Sequence, residues 1–242
     1  MSTETEIKEN ISKVKPKRER KKQEPLEICL NHNSNNWEIG IDEAGRGPLF
    51  GRVYTAAVVL PKDKELFDHS LMKDSKKFTS KKKIEEAYEY IKKNALAYCV
   101  CYEDEKSIDS INILQATFKS MHNSIRNIVK EKSQDVKVEK LLVDGNNFKP
   151  FTYINNGSIN QISHVCIEGG DNKYASIAAA SILAKVERDK YIEKICKDHP
   201  DLDEKYGILK NKGYGTKKHI DGIKEHGISQ FHRKTYGLCK NY

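Results

Sequence analysis

The chain has 242 residues, of which 32% are charged, and its formal net charge is +8 at pH 7. This length suits one domain with a sizeable core and its flanking ends. The positive charge favours a polyanionic partner, most simply a nucleic acid, with a basic protein that lacks such a partner as the alternative. No apolar run approaches the roughly 18 residues of a membrane helix, and no secretion signal opens the sequence, so we expect a cytoplasmic protein that acts away from membranes.

The six cysteines contain no Cys-x-x-Cys pair. Cys99 and Cys101 stand two residues apart in an apolar segment, which places both on one face of a predicted strand. We therefore expect reduced thiols of an intracellular protein, neither zinc ligands nor disulfides.

Residues 1–36 are polar and include a basic run over 13–22. They offer too little apolar surface to offset the entropy of ordering, so they are predicted to form a disordered arm before a domain over 37–242. The basic run suits nonspecific phosphate binding or an import signal, and the alternative is a solvated tail.

Past the arm, predicted strands alternate with predicted helices. The strands are two within 37–60 and one each at 95–102, 140–143 and 162–167. The helices cover 79–94 with Ser80 as N-cap, 110–131, 174–198 and a short stretch near 216–226. The connection from Asp144 to the strand at 162 is expected to be irregular. The alternation predicts an α/β fold, and three early strands in succession make part of the sheet antiparallel.

Four carboxylates lie at the ends of predicted elements, close to glycine. Asp42 and Glu43 end the first strand, Asp144 ends another, and Asp171 lies in a Gly-Gly-Asp turn before the long helix. Hard divalent ions prefer oxygen ligands, and two such ions about 4 Å apart activate a water and stabilise the leaving oxygen of a phosphodiester. The alternative is a structural role, with Asp144 in an Asp-Gly turn and Asp171 as a helix cap.

A Gly45-Arg46-Gly47 turn follows the first two acids directly. Glycine lets a phosphodiester backbone approach main-chain N–H groups, and the arginine adds a fixed cation. Together with the acids, this turn predicts metal-dependent chemistry on a phosphate, and the net charge of the chain points to a nucleic acid.

The motifs and their order resemble the type 2 ribonucleases H, in particular the bacterial ribonuclease HII branch. The resemblance covers residues 38–237 and rests on GIDEAGRGPLFG at 40–51, DSKKFTSKKK at 74–83, LLVDGN at 141–146, GGDNKYASIAAASILAKVERD at 169–189, NKGYGTKKH at 211–219 and HGISQFHRKTY at 226–236. The combination of DEAGRG with a small-residue helix that ends in AKVERD is highly specific. Residues 1–36 are too short and polar for the folded N-terminal DNA-binding domain of ribonuclease HIII relatives, which favours the HII branch.

The resemblance implies a ribonuclease H-like fold, with a mixed central sheet flanked by helices and a C-terminal helical segment. It implies a monomeric endoribonuclease that hydrolyses RNA in RNA–DNA hybrids and incises 5′ of single ribonucleotides embedded in duplex DNA. Two Mg²⁺ or Mn²⁺ ions would act there, and the products would carry 3′-hydroxyl and 5′-phosphate ends.

The resemblance also implies roles for individual residues. The metal-binding and catalytic acids would be Asp42, Glu43, Asp144 and Asp171. The ribose 2′-hydroxyl would be read by Gly45, Arg46 and Gly47, and the adjacent deoxyribose would contact Tyr214. The phosphate contacts would be Lys76, Lys185 and Arg188.

One departure from the family's pattern concerns Asp171, which lies 27 residues after Asp144. This connection is longer than is usual in the bacterial members, and the extra residues are expected within 148–163. Asp189 is the alternative to Asp171, although its position inside the long helix favours pairing with a base. Two other function classes stay open: a noncatalytic nucleic-acid-binding protein on the same fold, and a related nuclease such as a junction resolvase, which lacks the Gly-Arg-Gly turn.

Overall fold

The computed structural model describes residues 25–34, 36–132, 137–155 and 157–242. Within these ranges, one sheet contains the strands β1 Trp37–Ala44, β2 Val53–Val59, β3 Ala97–Glu103, β4 Val138–Asp144, β5 Phe151–Asn155 and β6 Ser158–Ile167. The α-helices are α1 Lys81–Asn94, α2 Glu105–Lys132, α3 Ala175–Asp198, α4 Asp201–Tyr206, α5 Ile208–Asn211 and α6 Lys217–His226. Short 3₁₀ turns cover His69–Leu71, Ser75–Lys77, Gly170–Asn172 and Gly237–Asn241.

The sheet is mixed, with the strand order β3-β2-β1-β4-β6-β5. The first three strands pair antiparallel, as the sequence predicts, and β5 pairs antiparallel with β6. The central strands β1, β4 and β6 are parallel to one another. Because parallel strands end at the same edge of a sheet, residues that follow β1, β4 and β6 meet on one side of the molecule.

Helices cover both faces of the sheet. On one face α2 buries Met121, Ile125 and Ile128 against Ile39 and other apolar residues of the central strands. On the other face, α1 and the small-residue half of α3 pack on β2 and its neighbours. The close contact of α3 with the sheet depends on Gly40, where a Cβ atom would stand 2.2 Å from the carbonyl carbon of Ser176. The predicted α/β fold is confirmed, and its C-terminal helical segment is α4 to α6.

The connection that the sequence suggested to be irregular is a hairpin of β5 and β6. The predicted strand at 162–167 is the second half of β6, which begins at Ser158. The prediction missed β5, although the Asn-Gly pair at 156–157 is a common hairpin signal. The hairpin accommodates the extra length between Asp144 and Asp171.

Helix α2 begins earlier than predicted and is interrupted. Asn112 has φ 63° and ψ 164°, which breaks the helix near the predicted start at residue 110. The Asn112 side chain accepts a hydrogen bond from the Gln115 amide at 3.1 Å, so it caps the second part of the helix. The predicted cap of α1 is confirmed, since the Ser80 hydroxyl accepts from the Lys83 amide at 3.3 Å.

Residues 25–34, part of the predicted disordered arm, contact the domain. Glu27 forms a parallel bridge with Tyr174, and Cys29 is buried. The amides of Leu30 and Asn31 donate to the Glu38 carboxylate at 2.7 and 2.8 Å. Hydrogen bonds to a buried carboxylate thus hold residues 25–34 against the domain although their composition is polar, and the boundary at residue 36 stays a prediction. The basic run at 13–22 lies outside the described residues.

The six cysteines form no disulfide, as expected from their spacing. In the part of the chain that the structure describes, no helix is both long enough and apolar enough to span a membrane.

Candidate active site and nucleic-acid interface

Two of the predicted acids meet at the edge where the central parallel strands end. Ile41 of β1 lies opposite Val143 of β4, so the residues that follow them, Asp42 and Asp144, are neighbours in space. The Asp42 side chain is 5% exposed and accepts a hydrogen bond from the Glu43 amide at 2.6 Å. Register alone therefore brings the acids of two distant motifs together.

Asp171 reaches the same edge through a turn after β6. The strand β6 pairs with β4 as far as Ile167, and the Gly170 amide donates to Asp144 Oδ1 at 2.7 Å. A Cβ atom at Gly170 would stand 2.6 Å from Ile177 Cδ1, so a larger residue here would displace the end of that side chain. Asp189, the alternative to Asp171, instead forms an ion pair with Lys185 on α3.

Burial and neighbouring negative charges raise the pKa values of several of these carboxylates. Burial raises the pKa of Asp42 well above its usual value, and the charges of Glu43 and Asp144 raise it further. Burial also raises the pKa of Glu43, with Arg46 acting in the opposite direction. For Asp171, burial and then the charge of Asp74 raise the pKa. Asp144 is a charged neighbour of all three acids, so added positive charge would stabilise the cluster.

The donor set fits a hard divalent cation, because carboxylate oxygens are the ligands that Mg²⁺ and Mn²⁺ prefer. Among the described residues, no three His, Cys, Asp or Glu side chains stand in a group that could hold a metal ion. Such a cation would complete its coordination with water and substrate phosphate, as Mg²⁺ commonly does. Two of the acids, Glu43 and Asp144, line a cleft of about 240 Å³ together with Arg46 and Asn146.

The Gly-Arg-Gly turn stands beside these acids and faces Tyr214. Gly45 has φ +94°, a backbone conformation that favours glycine. Arg46 is exposed and lies 3.3 Å from Glu43 Oε1. A Cβ atom at Gly47 would stand 3.5 Å from Tyr214 Cε1, and Tyr214 is 50% exposed. The turn and the tyrosine therefore form two sides of one accessible gap.

The three predicted phosphate contacts have different environments. Lys76 is exposed, and its charge lowers the pKa of both Glu43 and Asp171, so it lies close to the acids. Lys185 is partly exposed and paired with Asp189. Arg188 is 2% exposed and donates to the carbonyl oxygens of neighbouring loops. The burial of Arg188 and its hydrogen bonds to main-chain carbonyls do not favour the predicted contact with a phosphate, which stays a prediction.

Two residues without a predicted role belong to this site. Asp74, which begins the DSKKFTSKKK stretch, accepts from the Lys76 amide at 2.9 Å and from Asn172 Nδ2 at 3.3 Å. It therefore fixes the loop that carries Lys76 next to Asp171. Arg233, in the HGISQFHRKTY stretch, is buried behind the Gly-Arg-Gly turn and donates to its carbonyls. The motif stretches contained both residues, but no spacing rule indicated what their side chains touch.

A family model described as Ribonuclease HII matches residues 39–239. The ribonuclease HII of Cytophaga hutchinsonii is 42% identical over 211 residues, which cover 87% of this chain and 94% of that protein. The ribonuclease HII of Bacteroides thetaiotaomicron is 43% identical over 206 residues, which cover 85% of this chain and 92% of that protein. These matches confirm the resemblance stated from the motifs.

Solved structures of similar fold include ribonuclease H2 from Pyrococcus horikoshii, with a TM-score of 0.63 at 24% identity. That match covers 85% of this chain and 96% of the other. Bst-RNase HIII in complex with Mn²⁺ matches with a TM-score of 0.58 at 15% identity, over 78% of this chain and 70% of the other. At these identities the likeness concerns the fold, and it confirms the expected ribonuclease H-like architecture.

Proposed function

The chain belongs to the ribonuclease HII family and is a divalent-metal-dependent ribonuclease H, and we propose that it incises nucleic acid 5′ of ribonucleotides. Its substrates would be RNA–DNA hybrids and duplex DNA with single embedded ribonucleotides. The observation that carries this proposal is the arrangement of one cleft, where the half-buried acids Glu43 of β1 and Asp144 of β4 adjoin Arg46 of the Gly45–Gly47 turn.

Asp42, Glu43, Asp144 and Asp171 would hold the divalent cations of this site. Mg²⁺ or Mn²⁺ bound there would lower the pKa of a water and stabilise the leaving 3′ oxygen. The hydrogen bonds from Glu43 N to Asp42 and from Gly170 N to Asp144 would hold the two carboxylates in a fixed orientation towards the cations. A water nucleophile would leave a 3′-hydroxyl and a 5′-phosphate.

The turn and Tyr214 would distinguish ribose from deoxyribose. A 2′-hydroxyl both donates and accepts hydrogen bonds, so main-chain groups of Gly45, Arg46 and Gly47 could read it directly. Tyr214 would offer a flat surface to the deoxyribose of the next nucleotide. Lys76 and Lys185 would contact phosphates. At Lys185, a phosphate would replace Asp189 as the partner in its ion pair. We propose that the protein does this work as a monomer in the cytoplasm.

The alternative of a noncatalytic binding protein predicts that the acids serve stability alone. The pKa values of Asp42 and Asp171 are raised by burial and by neighbouring carboxylates, which does not favour that role because such acids oppose folding at neutral pH. The alternative of a junction resolvase is not supported by the chain's Gly-Arg-Gly turn and its neighbouring tyrosine.

The proposal is tested by incision of a duplex with one ribonucleotide, with added Mg²⁺ or Mn²⁺ and with a chelator. We expect chelation to abolish cleavage and Asp42→Asn to lower kcat by about 10³-fold or more. Asp221→Asn, which changes an exposed acid on α6, is the matched control and should retain activity. Titration calorimetry with Mn²⁺ should show weaker binding to Asp42→Asn, whereas undiminished cleavage by that variant would contradict the site assignment.

A further inference from the structure

Arg233 is the largest side chain that is fully buried in the described part of the chain, at 0% exposure. Its guanidinium donates to four carbonyl oxygens of one loop: Gly45 at 2.6 Å, Arg46 at 2.9 Å, Pro48 at 2.8 Å and Gly51 at 2.8 Å. A buried cation is costly unless its donors are satisfied. The position of Arg233 and the shape of the Gly45–Gly51 loop therefore depend on each other.

The segment that carries Arg233 is anchored independently of the loop. Asp109 of α2 accepts from the amides of Lys234 and Thr235, both at 2.9 Å, and from the Thr235 hydroxyl at 2.7 Å. The Tyr236 hydroxyl donates to the Arg46 carbonyl at 3.1 Å. Through Arg233 and Tyr236, the Gly45–Gly47 turn is thus held in position relative to α2.

The residue before Arg233 supports the other side of the gap. His232 Nδ1 accepts from the Ser229 amide at 2.9 Å, so Nε2 carries the proton and donates to His219 Nε2 at 3.0 Å. His219 must then donate from Nδ1 to the Tyr214 carbonyl, which lies 3.0 Å away. Both rings are buried, and burial lowers the pKa of each, in agreement with two neutral histidines.

We propose that the His232-Arg233 pair is a positioning unit that fixes the gap between the Gly45–Gly47 turn and Tyr214, and thereby sets the preference for ribose over deoxyribose. This inference rests on the proposed function of that gap. Adjacent residues of one segment hold both of its sides, Arg233 through the carbonyls of Gly45 and Arg46 and His232 through His219 and the Tyr214 carbonyl. The 3.5 Å from an added Gly47 Cβ to Tyr214 leaves little room for displacement.

The test is equilibrium binding in a chelator, which separates recognition from cleavage. Fluorescence anisotropy gives Kd for an all-DNA duplex and for the same duplex with one ribonucleotide, and their ratio measures ribose preference. We expect Arg233→Gln to lower that ratio on the order of tenfold, since a displacement of about 1 Å spoils a fitted contact. Its Kd for all-DNA duplex should change far less. Lys234→Gln removes an equal charge from the neighbouring exposed side chain and should keep the wild-type ratio.

The outcomes separate this inference from the proposed function. A wild-type ratio of one contradicts ribose reading by the gap and, with it, the inference. If the Kd ratio of the wild type is above one and Arg233→Gln has the same ratio, the positioning role alone is contradicted. Should Arg233→Gln fail to fold by circular dichroism, Tyr236→Phe decides, because it keeps the ring and removes the hydroxyl that donates to the Arg46 carbonyl and interacts with Arg233. If Tyr236→Phe folds, we expect its Kd ratio to be lower than that of the wild type. An unchanged ratio overturns the positioning role.

Discussion

Replacing Gly47 with alanine should separate function from folding. The added Cβ would stand 3.5 Å from Tyr214 Cε1, which is ordinary van der Waals contact, and no other heavy atom lies within 4 Å. An exposed site without a clash should change the free energy of unfolding by about 0.5 kcal/mol or less. The methyl group nevertheless occupies the gap in which the sugar would lie. We therefore expect kcat/KM on a duplex with one ribonucleotide to fall on the order of 10²-fold.

Gly45→Ala is the matched variant two residues away, with the opposite expectation for stability. Gly45 has φ +94°, and an added Cβ would stand 2.1 Å from Nε of the buried Arg188. The backbone conformation costs about 1–2 kcal/mol for alanine, and the steric overlap adds about 1–3 kcal/mol. For a domain of this size, the sum corresponds to a fall in Tm of about 4–20 °C.

Thermal unfolding by circular dichroism and initial rates on the same substrate measure both variants. We expect Gly47→Ala to keep the wild-type Tm and lose activity, and we expect Gly45→Ala to have a lower Tm. Full activity of Gly47→Ala would refute the assignment of the gap to the sugar. A wild-type Tm for Gly45→Ala would refute the packing of Arg188 against the turn.

Three further outcomes follow from the structure. Tyr214→Ala should impair single-ribonucleotide incision more than cleavage of a long hybrid, whereas parallel kinetics with equal losses would reduce Tyr214 to a packing residue. If the basic run at 13–22 contacts phosphate, the affinity of the full chain should fall more steeply with salt than that of a chain beginning at Pro25; equal slopes would show no electrostatic role for the run. Burial lowers the pKa of His232 to about 3, so its contribution to stability is complete above about pH 6.5 and declines as the pH falls towards 3, by up to about 1.4 kcal/mol per pH unit. The difference in unfolding free energy between wild type and His232→Asn should therefore shrink from pH 7 to pH 4, and a constant difference would contradict a neutral buried His232.

The acids could be predicted because their positions follow from strand ends. Asp42 and Asp144 lie near the ends of apolar strands, and parallel pairing brings such residues to one edge. The position of Asp171 was harder to predict, since the β5–β6 hairpin lengthens its connection to Asp144. The turn at 45–47 was visible because glycine on both sides of an arginine is informative by itself.

The supporting contacts could not be predicted, because side-chain direction depends on tertiary packing. Charged residues are usually exposed, and this expectation fails for Arg188 and Arg233, which are buried by loops distant in sequence. Asp74 faces Asp171 only because the 74–77 turn packs on the start of α3. No periodicity in a single sequence reports such contacts.

The central claim is that bound divalent cations and a water nucleophile cut on the 5′ side of a ribonucleotide. Its most direct measurement is the mapping of both product ends after incision of a duplex with one ribonucleotide in Mn²⁺. We expect a 5′-phosphate on the fragment that begins with the ribonucleotide and a 3′-hydroxyl on the other fragment. A 2′,3′-cyclic phosphate, which forms when the ribose 2′-hydroxyl attacks, would contradict the mechanism.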